Sequence, residues 1–408
     1  MVIAFILIVT LIALLADYYI WRRMIVRRNL GKIWKWGYLA YAVAVDLAIL
    51  TVLVVYGYLL DNPDPTMIHI AMWVIAVFFM NTFPKVVFSV VSLFDYPVSL
   101  FTKKRSHIFE YAGIVLGLFA LGAMIWGAGP GRTRIEVRKA EIVSDRLPAS
   151  FDGFRIVQFS DIHIGTMMNP PKMLRNLVET VNALDPDLVV GTGDLINIHA
   201  GELRPDILHI LSGIRSREGV YAVFGNHDLG FYIHDTLQVS PAESCKMLSA
   251  HLRGIGWTPL VNESTLIRRD DEAISLAGIG YPSDIRHNYH HSRSGLAGAD
   301  LQKTYAGLPD TLFNIMLSHT PAVWDDILAA GYSDLTLAGH THSMQIKFRV
   351  GGRVWSPARF LFPRWSGLYE ENGRYLYVND GIGYVMFPMR IGARPEVTLI
   401  TLLATRNP

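Results

Sequence analysis

Five apolar runs in this 408-residue sequence finish on residues that hold divalent metals: Asp161-Ile-His163, Gly193-Asp194, Gly225-Asn226-His227-Asp228, Ser318-His319 and Gly339-His340-Thr341-His342. Asp and His together make a mixed oxygen and nitrogen donor set suited to Mn, Fe or Zn, and the absence of thiolate argues against a purely structural zinc. One residue between Asp161 and His163 places both side chains on one face of an extended segment, and the same spacing relates His340 to His342. Two ions about 3.5 to 4 Å apart would polarise a phosphoryl oxygen and generate hydroxide at neutral pH for in-line attack. Cys245 is the sole cysteine, which excludes an intrachain disulfide and a Cys-rich zinc site; it reads as a small core residue rather than a nucleophile.

Such residues, scattered over nearly half of the chain, need a scaffold that gathers them. Past the Gly-Pro-Gly segment at 129–131 the sequence alternates short β-branched runs with helical ones. Strands are expected at 155–161, 187–194, 219–226, 273–280, 313–319, 334–340, 375–380 and 397–402. A helix over 171–184 carries Leu174, Leu177 and Val181 on one face. Strand, helix, strand is the signature of an α/β domain. The crevice beyond the carboxyl ends of its strands is where ligands gather, so the five motifs can converge there.

The first 128 residues have a different character. The whole chain is 51% hydrophobic and only 18% charged, against about 25% charged for an ordinary soluble domain. Residues 2–20 and 38–60, a third run from Met67 and a fourth over 108–126 each approach the length of a bilayer core. The first lacks a basic leader and a small-residue cleavage site and is expected to be retained. The stretch 84–101, broken by Pro84, Lys85, Asp95 and Pro97, reads as an extension of the third helix followed by an interfacial segment. Arg22, Arg23, Arg27, Arg28, Lys32 and Lys35 mark one loop as cytoplasmic, and Lys103, Lys104 and Arg105 mark another. The acidic turn at 61–66 then lies outside, and four spans put the C-terminal domain outside as well. Asp46, within the second apolar run, is either functional or hydrogen-bonded inside the bundle. A net charge of +2 and a pI near 8.5, with no basic run interleaved with aromatics, exclude nucleic acid as a partner.

In order and spacing the motifs D-x-H, G-D, G-N-H-D, a lone H and G-H-x-H resemble the calcineurin-like metallophosphoesterases, over about residues 150–403. The pattern LYVNDGIG followed by RPEVTLITL resembles the closing strands of that family's membrane-anchored bacterial branch. The resemblance implies two mixed β-sheets packed face to face and flanked by helices. It implies that Asp161, His163 and His342 hold one metal and that Asn226, His319 and His340 hold the other, with Asp194 bridging. It makes His227 a non-ligand that contacts the phosphate and can protonate the leaving group, with Asp228 orienting it. A leaving alkoxide needs such an acid or a stabilising charge.

The expected organisation is a transmembrane anchor over 1–128, a linker and first strand over 129–149 and a catalytic domain over 150–408. The expected activity is hydrolysis of a phosphodiester, phosphomonoester or pyrophosphate, on a lipid-linked or envelope substrate, at a bacterial inner or cell membrane. A membrane sensor whose phosphoesterase-like domain only binds a ligand and a protein phosphatase are the rival readings. Two segments stay open. The histidines of 286–293 (His287, His290, His291) belong to a substrate-gripping lid or a solvated loop. The run 359–369, with Phe360, Phe362 and Trp365 among Arg359 and Arg364, is an interfacial patch or a core strand with capping charges.

Overall fold

The computed structural model describes residues 2–61, 65–104, 106–233, 239–281, 298–331 and 333–405. The centre of the acidic turn at 61–66, Arg105 and the histidine-rich stretch 286–293 lie outside the described residues. The chain divides into two compact units, Met1–Gly129 with Met386–Met389 and the remainder.

The first unit is helical: α1 (Val2–Ile20), α2 (Lys32–Asp61), α3 (Pro65–Leu93), α4 (Asp95–Thr102) and α5 (Ile108–Ala128). Its burial is inverted relative to a water-soluble bundle. Leu11, Leu15, Val115, Leu118 and Phe119 face outward while Asp17, Arg23, Asp95 and Glu110 are buried. A lipid solvent selects this pattern, since charged groups must pair inside and apolar ones cost nothing outside. Arg23 meets Asp95 at 2.6 Å and Glu110 at 3.1 Å, and Lys85 meets Asp17 at 2.7 Å. Among the described residues three stretches are long and apolar enough to cross a membrane, within Lys32–Val52, Thr66–Thr102 and Ile108–Ala128. The expected first span is the 19-residue apolar helix α1.

Helix α3 runs through Pro84 to Leu93, the extension of the third helix expected for the first part of 84–101, and the short α4 follows. Gly113 and Gly117 let α5 approach closely, because a Cβ on either would sit 3.0 Å from a carbonyl oxygen of α3. Asp46 is buried with one carboxylate oxygen that meets no hydrogen-bond donor.

The second unit is built on two six-stranded mixed sheets. The first holds β1 (Glu136–Ser144), β2 (Phe154–Phe159), β3 (Leu188–Gly191), β4 (Val220–Ala222), β5 (Trp257–Pro259) and β14 (Glu396–Ala404), in the order β1-β14-β2-β3-β4-β5. The second holds β6 (Glu263–Arg269), β7 (Glu272–Gly278), β8 (Asn314–Leu317), β9 (Leu335–Ala338), β12 (Gly367–Glu371) and β13 (Arg374–Val378), in the order β12-β13-β9-β8-β7-β6. A separate ribbon pairs β10 (Phe348–Val350) with β11 (Arg353–Trp355).

Strand alternation assigns the layers. Phe154 and Ile156 of β2 pack with Leu188, Val190, Ile315, Leu317, Leu335 and Leu337 in one core between the sheets. The alternate residues Val157 and Phe159 turn to the opposite face, against Leu174, Leu177 and Val181 of α6 (Pro170–Ala183), Leu211 of α7 (Pro205–Leu211) and Leu248 of α8 (Pro241–Gly254). Beyond the second sheet, Met316 packs on Tyr305 of α9 (Leu301–Tyr305) and Ile327 of α10 (Trp324–Ala330). The two sheets therefore lie face to face with helices outside, as the resemblance implied. The run 359–369 is not a core strand: Pro357–Phe360 form a short 3-10 turn, Phe360 stands in solvent, and only the end of the run, from Gly367, enters the edge strand β12.

Candidate metal centre

β2, β3 and β4 run parallel in one sheet, and β7, β8 and β9 run parallel in the other. Their carboxyl ends deliver the five motifs to one place. The strands stop short of the motifs, however: β2 ends at Phe159 and β9 at Ala338. The pairs Asp161/His163 and His340/His342 therefore do not share the face of an extended segment. Asp161, His163, Asp194, His340 and His342 all adopt left-handed backbone, with φ between 47° and 74°. For non-glycine residues this costs about 1–3 kcal/mol each, and such strain collects where structure around it over-determines a functional geometry. Here the loops hold one another: the Asp161 amide donates to the Gly193 carbonyl at 2.8 Å, the His163 amide to the Asp194 carbonyl at 3.0 Å and the His340 amide to the Asp161 carboxylate.

Two carboxylates sit among four imidazoles in the centre. Asp161 Oδ1 is 3.1 Å from His342 Nε2, and Asp194 Oδ2 is 3.1 Å from His319 Nε2 and 3.6 Å from His163 Nε2. Imidazole nitrogens face each other across 3.1 Å in the pairs His163/His342 and His319/His340. At most one proton fits between two such nitrogens, whereas a cation accepts both lone pairs. Three groups of potential ligand atoms each converge within 4.8 Å: Asp161, His163 and His342; Asp194, His319 and His340; and His163, Asp194 and His227. Asn226 adds a buried amide oxygen without a hydrogen-bond partner. The donor set fits divalent cations.

Electrostatics at the centre follow from burial and from these contacts. Burial alone would raise Asp161, but the imidazoles of His342 and His319 outweigh it and hold the carboxyl below its ordinary range. Burial would lower His319, yet the Asp194 carboxylate drives it up to about 9, while burial and the neighbouring His319 push His340 down to about 3. Cation and proton compete for these nitrogens.

The surrounding residues fix the ring orientations. His319 Nδ1 meets the Thr192 carbonyl at 2.7 Å, which turns Nε2 toward the carboxylates. His227 Nδ1 meets the Asn197 carbonyl at 2.6 Å, and its ring stacks on Tyr232 at 4.1 Å between centroids. Asp228 does not orient that ring, contrary to expectation. Its carboxylate accepts the amides of Asp194, Leu195, Ile196 and Gly225, so it pins the backbone that carries Asp194 and Asn226. Burial and the negative Asp194 raise this carboxyl to about 7.

The sequence motifs do not mark Asn197, Thr192 or Glu202. Glu202 accepts the amides of Gly165, Asn197 and Ile198 and so ties together the loops after β2 and β3. Its partners are distant or local backbone, which leaves no side-chain pattern to read. Behind Asp161 lies the segment Asn379–Gly383. A Cβ on Gly381 would stand 2.7 Å from that of Asp161, and a Cβ on Gly383 only 2.1 Å from the Ile162 carbonyl oxygen. Those glycines in LYVNDGIG serve close packing against the metal loop.

Residues 154–344 match the family model described as calcineurin-like phosphoesterase, and residues 3–132 match one described as probable calcineurin-like phosphoesterase, transmembrane domain. The chain is similar to the uncharacterized metallophosphoesterase YkuE of Bacillus subtilis (strain 168), 30% identical over 300 residues, covering 71% of this chain and 96% of that protein. It is also similar to a Bos taurus transmembrane protein with metallophosphoesterase domain, 35% identical over 276 residues, covering 66% of this chain but 57% of the bovine protein. A phosphopantetheinyl hydrolase structure from Mycobacterium tuberculosis aligns at 13% identity with a TM-score of 0.34, over 57% of this chain and 91% of that one.

Proposed function

The chain belongs to the calcineurin-like phosphoesterases, and on that premise we propose that it hydrolyses a phosphate ester or pyrophosphate bond in a lipid-linked or cell-envelope substrate. Residues 1–128 would be the membrane anchor, 129–149 the linker and first strand, and 150–408 the catalytic domain, placed outside the cytoplasm of a bacterial cell.

The observation that carries the reading is the convergence of Asp161 and Asp194 with four imidazoles from both sheets. Asp161, His163 and His342 would hold one cation, Asn226, His319 and His340 a second, and Asp194 would bridge them. Bound there, two divalent ions supply Lewis acidity to the phosphoryl oxygens and acidify a water. The protein's own part is positional. Asp228 and Glu202 hold the backbone of the ligand loops, and the Thr192 carbonyl fixes which nitrogen of His319 faces inward. His227 commits Nδ1–H to the Asn197 carbonyl, so Nε2 carries a proton only in the imidazolium form. Burial disfavours that form, the negative charge of an incoming phosphate would favour it, and Nε2–H would then pass its proton to the leaving oxygen and return the ring to the neutral Nδ1–H tautomer.

The apolar helices support a lipid-linked substrate, because confining enzyme and substrate to one surface raises their encounter without tighter binding. The basic loops after α1 and before α5 support an anchor with those loops in the cytoplasm. The test is hydrolysis of a generic phosphodiester in Mn²⁺ by the full chain in detergent. Asp194→Ala and His340→Ala each abolish it on this account, and unchanged turnover in both variants would sink the reading.

A further inference from the structure

The β10–β11 ribbon departs from the rest of the catalytic unit. Every residue from Phe348 to Trp355 is exposed, although Phe348, Val350, Val354 and Trp355 are apolar. The turn that follows leaves Phe360 exposed by 75%, as is Val350. Phe348 stacks on Trp355 at 6.0 Å, and Trp355 meets Phe360 at 6.3 Å, so the three rings form a continuous row, with Val350 on the same face of the ribbon. A two-stranded ribbon is marginal in water alone, and an exposed apolar edge is something soluble domains suppress. Gly351 and Gly352, with φ of 56° and 77°, close the ribbon in a tight turn with open space around both.

Charge on this surface has one sign. From Thr341 to Tyr369 the sequence contains no Asp or Glu and five Lys or Arg: Lys347, Arg349, Arg353, Arg359 and Arg364. Lys347 is engaged by Asp380, and Arg364 by Asp325 and Glu371. Among the described residues no ion pair forms at Arg349, Arg353 or Arg359. The ribbon also joins the metal centre directly. It leaves from the loop of His342, Ser356 Oγ donates to the Ser343 carbonyl at 2.6 Å, and the returning Phe362 meets the His340 ring edge-on at 5.8 Å.

We propose that residues 348–361 dock on an anionic lipid bilayer, with Phe348, Val350, Trp355 and Phe360 in the headgroup boundary and Arg349, Arg353 and Arg359 on lipid phosphates. Aromatic and aliphatic side chains beside unpaired guanidiniums match that boundary, where the apolar part enters and the charge stays with phosphate. The apolar helices of the first unit put a bilayer on the same chain as the ribbon. The chain passes from the end of α5 at Ala128 to β1 at Glu136, a stretch reaching about 29 Å at most. A second copy fits less well, since a symmetric contact would set the same arginines against one another. The inference rests on the lipid-linked reading of the site: the docked ribbon holds the rim at His340 and Phe362 against the layer where lipid phosphates lie.

The test uses the full chain reconstituted into phosphatidylcholine bilayers with and without phosphatidylglycerol. An environment-sensitive fluorophore is placed through Val350→Cys, through Phe360→Cys as a second position, and through Arg204→Cys as a solvent-facing control just before α7. Blue-shifted emission and quenching by brominated lipid are expected at 350 and 360 but not at 204. Both should strengthen with phosphatidylglycerol and weaken when Arg349→Glu and Arg353→Glu are added. Emission at 350 and 360 equal to that at 204 would overturn the proposal. Quenching indifferent to phosphatidylglycerol would overturn the anionic docking, and a blue shift without quenching would assign the surface to a second copy or another protein instead. No turnover enters the readout, so quenching without hydrolysis sinks only the catalytic reading, and hydrolysis without quenching sinks only this one.

Discussion

Gly225→Ala is the sharpest probe of how the centre is held, because it adds one methyl and removes no ligand. A Cβ at that position would lie 2.1 Å from Asp194 Oδ1 and 2.8 Å from His319 Cδ2. Ordinary contact begins near 3.5 Å, so the carboxylate must retreat by more than about 1 Å. Gly225 does not have a left-handed backbone, and the obstacle is the tip of a side chain. The fold therefore accommodates the change at the low end of overpacking costs, about 1 kcal/mol. Asp194 cannot retreat freely and keep its place, since its Oδ1 accepts the His227 amide at 2.9 Å. A displacement of that size at a bridging ligand costs roughly 100-fold in kcat/KM, about 2.7 kcal/mol of transition-state stabilisation. Phosphodiester hydrolysis and calorimetric Mn²⁺ titration of the full chain read it, with Gly254→Ala as a control in open space at the end of α8. Wild-type turnover and metal affinity in the Gly225→Ala variant would refute the placement of Asp194 at the centre.

Other perturbations follow from the same contacts. Asp380 faces Lys347 at 2.6 Å, Arg138 at 2.9 Å and the Ser343 hydroxyl at 2.6 Å. Asp380→Asn leaves buried cations short of a counter-charge, so thermal unfolding should show a loss of about 3 kcal/mol, with weaker Mn²⁺ binding because Ser343 follows His342. For Asp187, burial pushes the carboxyl up, but the Arg155 amide and the Arg217 and Arg269 guanidiniums outweigh it and hold it low. Its folded-state pKa lies below the unfolded one, so its stabilisation is present above about pH 4 and fades as pH falls further. Asp187→Asn should cost about 1–3 kcal/mol near neutrality in denaturant titrations, with the difference from wild type closing below about pH 4. Burial raises the Cys245 thiol to about 12, so maleimide should label it only on unfolding, read by mass spectrometry.

The strands that position the site were legible where both faces are buried. β2, β3, β8 and β9 are short, mainly apolar and buried on both faces, and nothing competes with a core strand at such places. β5 is three residues long, and β10 and β11 are exposed on both faces, so neither burial nor alternation marked them. Motif spacing located the ligand loops but assigned them extended backbone. The left-handed residues at 161, 163, 340 and 342 depend on hydrogen bonds from loops distant in sequence, which no local pattern encodes. Asp228 shows the same limit: it stands beside His227 in the chain, yet its carboxylate turns to the amides of residues 194–196. In the first unit the apolar runs gave the helices, whereas the pairing of Arg23 with Asp95 and Glu110 joins residues from three separate segments.

The central claim is that this donor set holds the cations on which hydrolysis depends. Its most direct test is elemental analysis of the purified full chain alongside turnover, before chelation, after chelation and after Mn²⁺ is restored. Two ions per chain are expected, with activity lost and regained in step with them, and with Asp194→Ala retaining neither metal nor activity. Hydrolysis that persists after the metal is gone, or an Asp194→Ala variant that keeps both its metal and its turnover, would contradict the account.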